Sequence, residues 1–311
     1  MAVKDSIPEF NKSIFRTGEP FFVVWGVDYV EQSAGRRALH YLCHVLNKKG
    51  ADTYITNANT INGHLFTPLI TREQIQILRN VGRPCVMIYP EVVSSDPIPN
   101  DQAVRWLLNK PGAFDRNFPG SFGARDLCFY WSREYLHADI EAWPLYIPLV
   151  DLSIFNNDDN PYDAARQGRC LFACKYLMDG FKVDEDLRQS AVDLSFDYGN
   201  PRPVIPFNQL AALFRRSEYL VSYEASLMTL EAQLCGCPVV FRLSDYMPDI
   251  PTKDLFGTHG IATSLSVEDL SRARASVSKV AELYIERSRA AERQVEDLIE
   301  ICRSRIGKAR S

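Results

Sequence analysis

Residues 21–26, FFVVWG, are an unbroken apolar run closed by a glycine, and nothing in it alternates with polar residues. A strand of that kind is covered on both faces, which is the condition of a strand in a parallel sheet flanked by helices. The loop DYVEQSAG follows. It leads into RRALHYLCHVLNKKG, where Leu39, Leu42, Cys43, Val45 and Leu46 share one helix face and Gly50 stands where a C-terminal cap belongs. Strand, loop and helix in that order open a doubly wound α/β domain. Further buried strands are expected over 53–56, 85–89, 127–131 and 145–149, with a helix over 101–108.

Residues 150–168 are rich in Asn, Asp and Pro, hold no sustained apolar period, and read as a linker. The same rhythm then restarts. A strand is expected over 169–174, a helix over 207–215, a strand over 219–222, a helix over 227–235 and a strand over 238–241. The 311 residues suit two domains at roughly 150 residues each. The expected fold class is therefore α/β, with two Rossmann-like domains facing across a cleft and C-terminal helices packing back on the body. The expected bounds are 1–153, 154–275 and a tail, 276–311.

Charge and cysteine usage exclude several classes. Lys and Arg number 35 against 39 Asp and Glu, a net charge of −4, which gives no global attraction for nucleic acid. Residues 1–13 lack the apolar core of a signal peptide, and no run of 18 uncharged apolar residues occurs, so a cytoplasmic location is expected. The eight cysteines sit mostly in apolar runs and read as buried thiols. Cys170 with Cys174 and Cys235 with Cys237 lack zinc-site spacing. His40 and His44 share a helix face but lack the companions of a metal site, and packing is the expected role. No metal and no cofactor are expected.

The most informative stretch is 217–241, SEYLVSYEASLMTLEAQLCGCPVVF. It reads as a strand, a turn with Glu224, a helix with Glu231, a tight turn at Gly236 and a second strand. Tyr223, Glu224, Leu230, Glu231, Ala232, Gly236, Pro238, Val239 and Val240 resemble the donor-site signature of GT-B glycosyltransferases, in particular the retaining family 4 type of bacterial polysaccharide and O-antigen synthesis. Two departures stand out: Ala225 replaces a glycine, and six residues rather than seven separate the two acids.

The resemblance implies a nucleotide-sugar donor and a glycan or lipid-linked acceptor. Glu231 would chelate the ribose hydroxyls. The helix start at Ser226 and Leu227 would present backbone N–H groups to the diphosphate. Glu224 would face the sugar, and Lys175, expected at the end of the strand over 169–174, would neutralise the leaving diphosphate. In the first half, Asp28, Ser33 and Gly35 lie in the loop such enzymes place at the cleft, where Ser33 could equally be an ordinary helix cap. Glu91 follows the strand over 85–89 and would be a general base or an acceptor contact. His64 would line the acceptor site or simply be a loop histidine. Retention is the outcome implied, with inversion through Glu91 or Asp28 left open. The rival readings are a nucleotide-sugar epimerase on the same fold and a two-lobed binding module without chemistry.

Residues 271–311 carry ten basic and six acidic side chains, a net of +4 against −8 for residues 1–270. Their apolar spacing predicts amphipathic helices. The expectation is that Arg287, Arg289, Arg293, Arg303 and Arg305 face solvent, either as a plain basic face or as a contact for an anionic membrane.

Overall fold

The computed structural model describes residues 18–113, 118–136, 140–160, 163–195 and 205–310. Residues 1–13, examined above for a leader, lie outside them. The chain divides into two compact units, one made of described residues of 1–147 with 290–310 and the other of 148–289.

The first unit holds a six-stranded parallel sheet. Its elements are β1 (Phe21–Trp25), α1 (Ala34–Lys48), β2 (Thr53–Thr56), α2 (Arg72–Asn80), β3 (Cys85–Pro90), β4 (Gln102–Leu107), β5 (Leu127–Tyr130) and β6 (Ala142–Pro144). The strand order is β2-β1-β3-β4-β5-β6, with Val23 beside Met87 and Tyr54 across the two central pairings. Residues 21–24 of β1 and all of β3 are buried, as a strand with helices on both faces requires.

Two expectations fail here. Residues 102–107, QAVRWL, form β4 and not a helix. Arg105 interrupts the apolar run in the sequence, yet in the fold it is 2% exposed, because its guanidinium is fully occupied. It bonds Asp126 (2.7 Å), Asp96, and the carbonyls of Val93 (2.7 Å) and Ser95 (2.9 Å), and it lies over the Tyr89 ring at 4.8 Å. A buried cation is tolerated only when paired in this way. The last strand of this sheet is Ala142–Pro144, so Leu145, Tyr146, Ile147 and Leu149 are buried without forming a strand. Their polar groups find other partners: the Leu145 N–H donates to Tyr130 (2.8 Å), and the Trp106 indole donates to the Leu145 carbonyl (2.9 Å).

The second unit holds a five-stranded parallel sheet of order β11-β10-β9-β7-β8. Its elements are β7 (Arg169–Phe172), α3 (Cys174–Met178), α4 (Glu185–Ser190), β8 (Val192–Asp193), α5 (Phe207–Arg216), β9 (Tyr219–Ser222), α6 (Leu227–Leu234), β10 (Val239–Phe241), α7 (Lys253–Phe256), β11 (Ile261–Ala262), α8 (Val267–Ser276) and α9 (Lys279–Arg310). The first turns of α9 belong to this unit and the rest to the first. Tyr284 fixes its start, exchanging hydrogen bonds of 2.8 Å with the backbone N–H and carbonyl of Val150.

The linker is tied down by two arginines: Arg215 donates to the carbonyls of Ile154 (2.6 Å) and Asn156 (2.7 Å), and Arg166 binds more widely. Arg166 is buried and donates to the carbonyls of Phe214 (2.9 Å), Ser217 (3.3 Å) and Cys235 (3.0 Å), and to Asn157 Oδ1 (2.7 Å). Gly236 lies against this guanidinium. At φ +73, a Cβ there would stand 2.6 Å from an Arg166 nitrogen. Both the left-handed backbone and the close approach therefore demand glycine.

The tail is helical, and Arg289, Arg293 and Arg305 are exposed. Arg303 is exposed too, 3.7 Å from the exposed Glu19, whereas Arg287 is half-buried and donates to the Leu255 carbonyl at 3.3 Å. Exposed Glu292, Glu296 and Glu300 interleave with the arginines, so the helix presents mixed charge. Among the described residues no helix is long and apolar enough to cross a membrane.

Arg166→Ala should destabilise the protein by about 3 kcal/mol, since it removes one buried donor group shared by three carbonyls. Gly236→Ala should cost about 1–3 kcal/mol through strain and the clash. Urea unfolding measures both, and a loss below about 1 kcal/mol for Arg166→Ala would contradict the clamp.

Candidate functional site

In open α/β sheets, ligands bind beyond the carboxyl ends of the strands where the strand order reverses. The second sheet reverses between β7 and β9, since β8 lies on the other side of β7. The first reverses between β1 and β3, since β2 lies on the other side of β1. The residues singled out above fall at these two places.

At the β7/β9 point, Phe172 pairs with Ser222 and the two strands end together. β7 stops at Phe172, two residues earlier than expected, because Ala173 (φ −157, ψ 42) turns the chain into α3. Lys175 thus lies in the first turn of α3 and not at a strand end. The Glu224 carboxylate accepts from the Tyr176 N–H at 3.0 Å and also from the Lys175 N–H. Ala173 supplies no side-chain cap, and Glu224 takes that place. Glu224 is buried. Burial pushes its pKa up, opposed by the two backbone N–H groups and by the Lys175 charge.

The next residues build the start of α6. Ser226 is its N-cap, accepting from the Met228 N–H at 3.2 Å, and the Ser222 hydroxyl donates to the Glu224 carbonyl at 2.7 Å. Glu231 is buried on α6, 3% exposed, and its charge is felt at the Cys235 thiol, which burial has already raised to about 12. Leu227, the first residue of α6, sits half-buried beside Ser226.

Sequence reasoning missed the aromatic group at this edge. Tyr176 stacks on Phe181 (4.8 Å, 19°), leans on Tyr223 (4.9 Å) and meets the edge of Tyr246 (5.3 Å). Phe181 is 45% exposed, so the cluster offers solvent an aromatic face next to Lys175 and Glu224. Burial, with a hydrogen bond to the Asp179 carboxylate, pushes the Tyr246 phenol up. A cue was present: these residues directly follow the carboxyl ends of β7, β9 and β10.

At the β1/β3 point, the Asp28 Oδ1 accepts from the backbone N–H of Asn59 (2.6 Å) and Thr60 (2.8 Å). These bonds hold its carboxyl below the usual range. Asp28 therefore staples the β1–α1 loop to the loop after β2. Ser33 occupies the N-cap position of α1 but its side chain makes no capping bond. A Cβ on Gly35 would meet nothing within 4 Å, so the fold itself does not require glycine there. His64 lies on an exposed loop, its N–H bonded to Asn62 Oδ1 at 2.9 Å. Glu91 is 5% exposed at the end of β3 and accepts from the Leu108 N–H at 3.0 Å. Burial raises its pKa to about 7 against the pull of the Leu108, Glu91 and Asn109 N–H groups.

His40 and His44 hold loops in place. The His40 Nε2 bonds the Val27 carbonyl at 2.8 Å, its ring meets Tyr29 edge-on, and His44 Nδ1 accepts from the Phe66 N–H at 2.8 Å. Among the described residues no group of three or more His, Cys, Asp or Glu is placed to hold a metal ion.

No family model and no curated protein sequence matches the chain. Solved structures do. The glycosyltransferase WaaG, involved in lipopolysaccharide biosynthesis, aligns at 11% identity and a TM-score of 0.51, over 90% of this chain and 99% of its own. An O-GlcNAc transferase mutant of Thermobaculum terrenum aligns at 13% identity and a TM-score of 0.54, over 94% of this chain and 69% of its own. At such identities the likeness concerns the fold, and the fold is that of the GT-B glycosyltransferases.

Glu91 yields a pH prediction. Its folded pKa of about 7 exceeds the ordinary glutamate value of 4.5, so its contribution is fully present below pH 4.5 and is lost as pH rises towards 7. Glu91→Gln removes the ionisation. Relative to the wild type, this variant should gain stability progressively over that interval and level off above it, by up to about 3 kcal/mol. Urea titrations at several pH values check this, and a constant difference would contradict a raised Glu91.

Proposed function

We propose that the chain is a glycosyltransferase that moves a sugar from a nucleotide-sugar donor, held on the second unit, to a glycan or lipid-linked acceptor held on the first. The observation that carries this reading is the grouping at the β7/β9 switch point of a GT-B fold: Lys175, the start of α6, and Glu224. A diphosphate leaving group needs positive charge and N–H donors, and Lys175 with the α6 start supplies both. The aromatic face of Tyr176 and Phe181 gives a flat partner for a base or sugar ring. Glu231 is the ribose ligand in this reading.

Transfer with retention is the favoured course. Asp28 and Glu91, the carboxylates at the first unit's switch point, are both engaged by backbone N–H groups. Charge stabilisation of the leaving group then does most of the work, and no metal is called for. The acceptor class follows the resemblance to polysaccharide-building enzymes. The mixed charge of α9 supplies no one-signed face for lipid, so membrane contact forms no part of the reading.

A panel of nucleotide sugars screened by thermal shift should reveal one donor that stabilises the protein. With acceptor present, that donor should release its nucleoside diphosphate, with or without EDTA. Lys175→Ala should lower turnover by about 10²-fold with a smaller effect on donor affinity. Glu231→Ala should weaken nucleoside diphosphate binding in a folded protein. Stabilisation by none of the donors, or donor isomerisation without any acceptor, would overturn the proposal.

A further inference from the structure

A pocket of about 300 Å³ opens beyond the carboxyl ends of β1 and β2, lined by Trp25, Thr56, Asn57, Asn59, Thr71 and Arg72. It belongs wholly to the first unit, and neither Ser33 nor His64 lines it. Its size is at the lower end for small-molecule sites, enough for about one ring with substituents.

The walls are built. Trp25 ends β1 half-buried, its ring 5.8 Å from that of Tyr89, which is itself anchored by a 3.2 Å bond from its hydroxyl to Ile98. Asn57 holds a left-handed conformation (φ 60) and donates from Nδ2 to the Gly26 carbonyl at 3.2 Å. Asn59 is fixed by its N–H bond to Asp28. Thr71 is locked in a capping box with Gln74. An aromatic ring with amides and hydroxyls around it is the usual chemistry for gripping a sugar, whose ring C–H faces are apolar and whose edge is polar.

Arg72 sets the charge. Three arginines of the same sheet region pair with carboxylates: Arg79 with Asp101 (3.3 Å), Arg83 with Asp52 (2.7 Å), and Arg105 with Asp96 and Asp126. Arg72 is exposed at the pocket and forms no hydrogen bond or ion pair among the described residues. Its neighbour Glu73 is turned to its own backbone N–H and to the Thr71 hydroxyl, which with a smaller pull from the Arg72 charge hold its carboxyl low. A guanidinium to which no carboxylate is bonded, beside a sugar-sized pocket, fits an anionic substituent, which it can grip with two parallel N–H donors.

We propose that this pocket receives a sugar ring bearing an anionic group, with Trp25 as the stacking surface and Arg72 as the counter-ion. The identification of that ring as the acceptor's terminal unit rests on the glycosyltransferase reading above.

The test titrates the full-length protein with glucuronate, glucose 6-phosphate and glucose, followed by saturation-transfer NMR. Nucleoside diphosphate binding is measured in parallel. At least one anionic sugar should bind about tenfold tighter than glucose, glucuronate marking a carboxylate site and the phosphate sugar a phosphate site. Arg72→Ala should abolish the preference, Arg72→Lys should keep part of it, and Trp25→Leu should weaken all three sugars. Arg72 is exposed, so its variants test the idea even if Trp25→Leu fails to fold. Equal binding of anionic and neutral sugars, or a preference that survives Arg72→Ala, overturns the inference while leaving nucleotide binding and the transfer reading intact. If no nucleoside diphosphate binds but the Arg72-dependent preference is present, the transfer reading fails and the anionic-sugar pocket stands.

Discussion

The Arg166 guanidinium is where the second unit is drawn together. Its acceptors are the end of α5 (Phe214), the residue leading into β9 (Ser217) and the end of α6 (Cys235). These three points lie before the amino ends of β9 and β10, and each presents a carbonyl to the guanidinium. One planar cation with its donors fanned in a plane satisfies them together, which a lysine could not do. Gly236 is the complementary half of the contact, since only a residue without Cβ lets the chain turn so close to the guanidinium. Fixing the amino ends of two neighbouring parallel strands also fixes their register, Val239 against Leu220, and so where the loops emerge at the other end.

At that other end the buried carboxylates serve the backbone first. Glu224 caps α3, Glu91 holds the chain leaving β4, and Asp28 staples two loops. Each replaces a missing intrasegment partner for N–H groups at a strand-to-loop transition, and each thereby holds a switch-point loop in one conformation. A site whose loops are locked before ligand arrives loses less conformational entropy on binding. The same side chains can thus look like catalytic acids in a sequence and act in the fold as the frame on which Lys175 and the α6 start are held.

Much of this was legible in the residues. The two-sided burial of FFVVW and CVMIY, the restart of the rhythm after 168, and the strand–helix–strand of 217–241 all appear as expected. What was hidden depended on partners distant in sequence. β4 reads locally as a helix, because nothing near it in sequence says that Arg105 will meet Asp96 and Asp126, and without them a buried arginine is prohibitive. Arg166 lies in a stretch that reads as linker, since a side chain whose acceptors are mostly carbonyls far away in sequence leaves no pattern. The Tyr176, Phe181, Tyr223 and Tyr246 cluster is gathered from α3, the chain just after it and the segments after β9 and β10, so no single period reveals it.

The two switch-point carboxylates of the first unit are driven in opposite directions by their surroundings. Asp28 stays ionised, because two N–H groups solvate its charge at the surface. Glu91 is lifted to about 7, because three N–H groups do not repay its removal from water. Environments that separate two acids in this way assign them different chemistry at neutral pH. Asp28 remains a fixed negative charge with little tendency to take a proton, whereas Glu91 exchanges one near neutrality and alone has the proton affinity of a useful base. If inversion operated on this fold, Glu91 would be the residue to carry it. Its burial and its bond to the Leu108 N–H are the structural terms against that role.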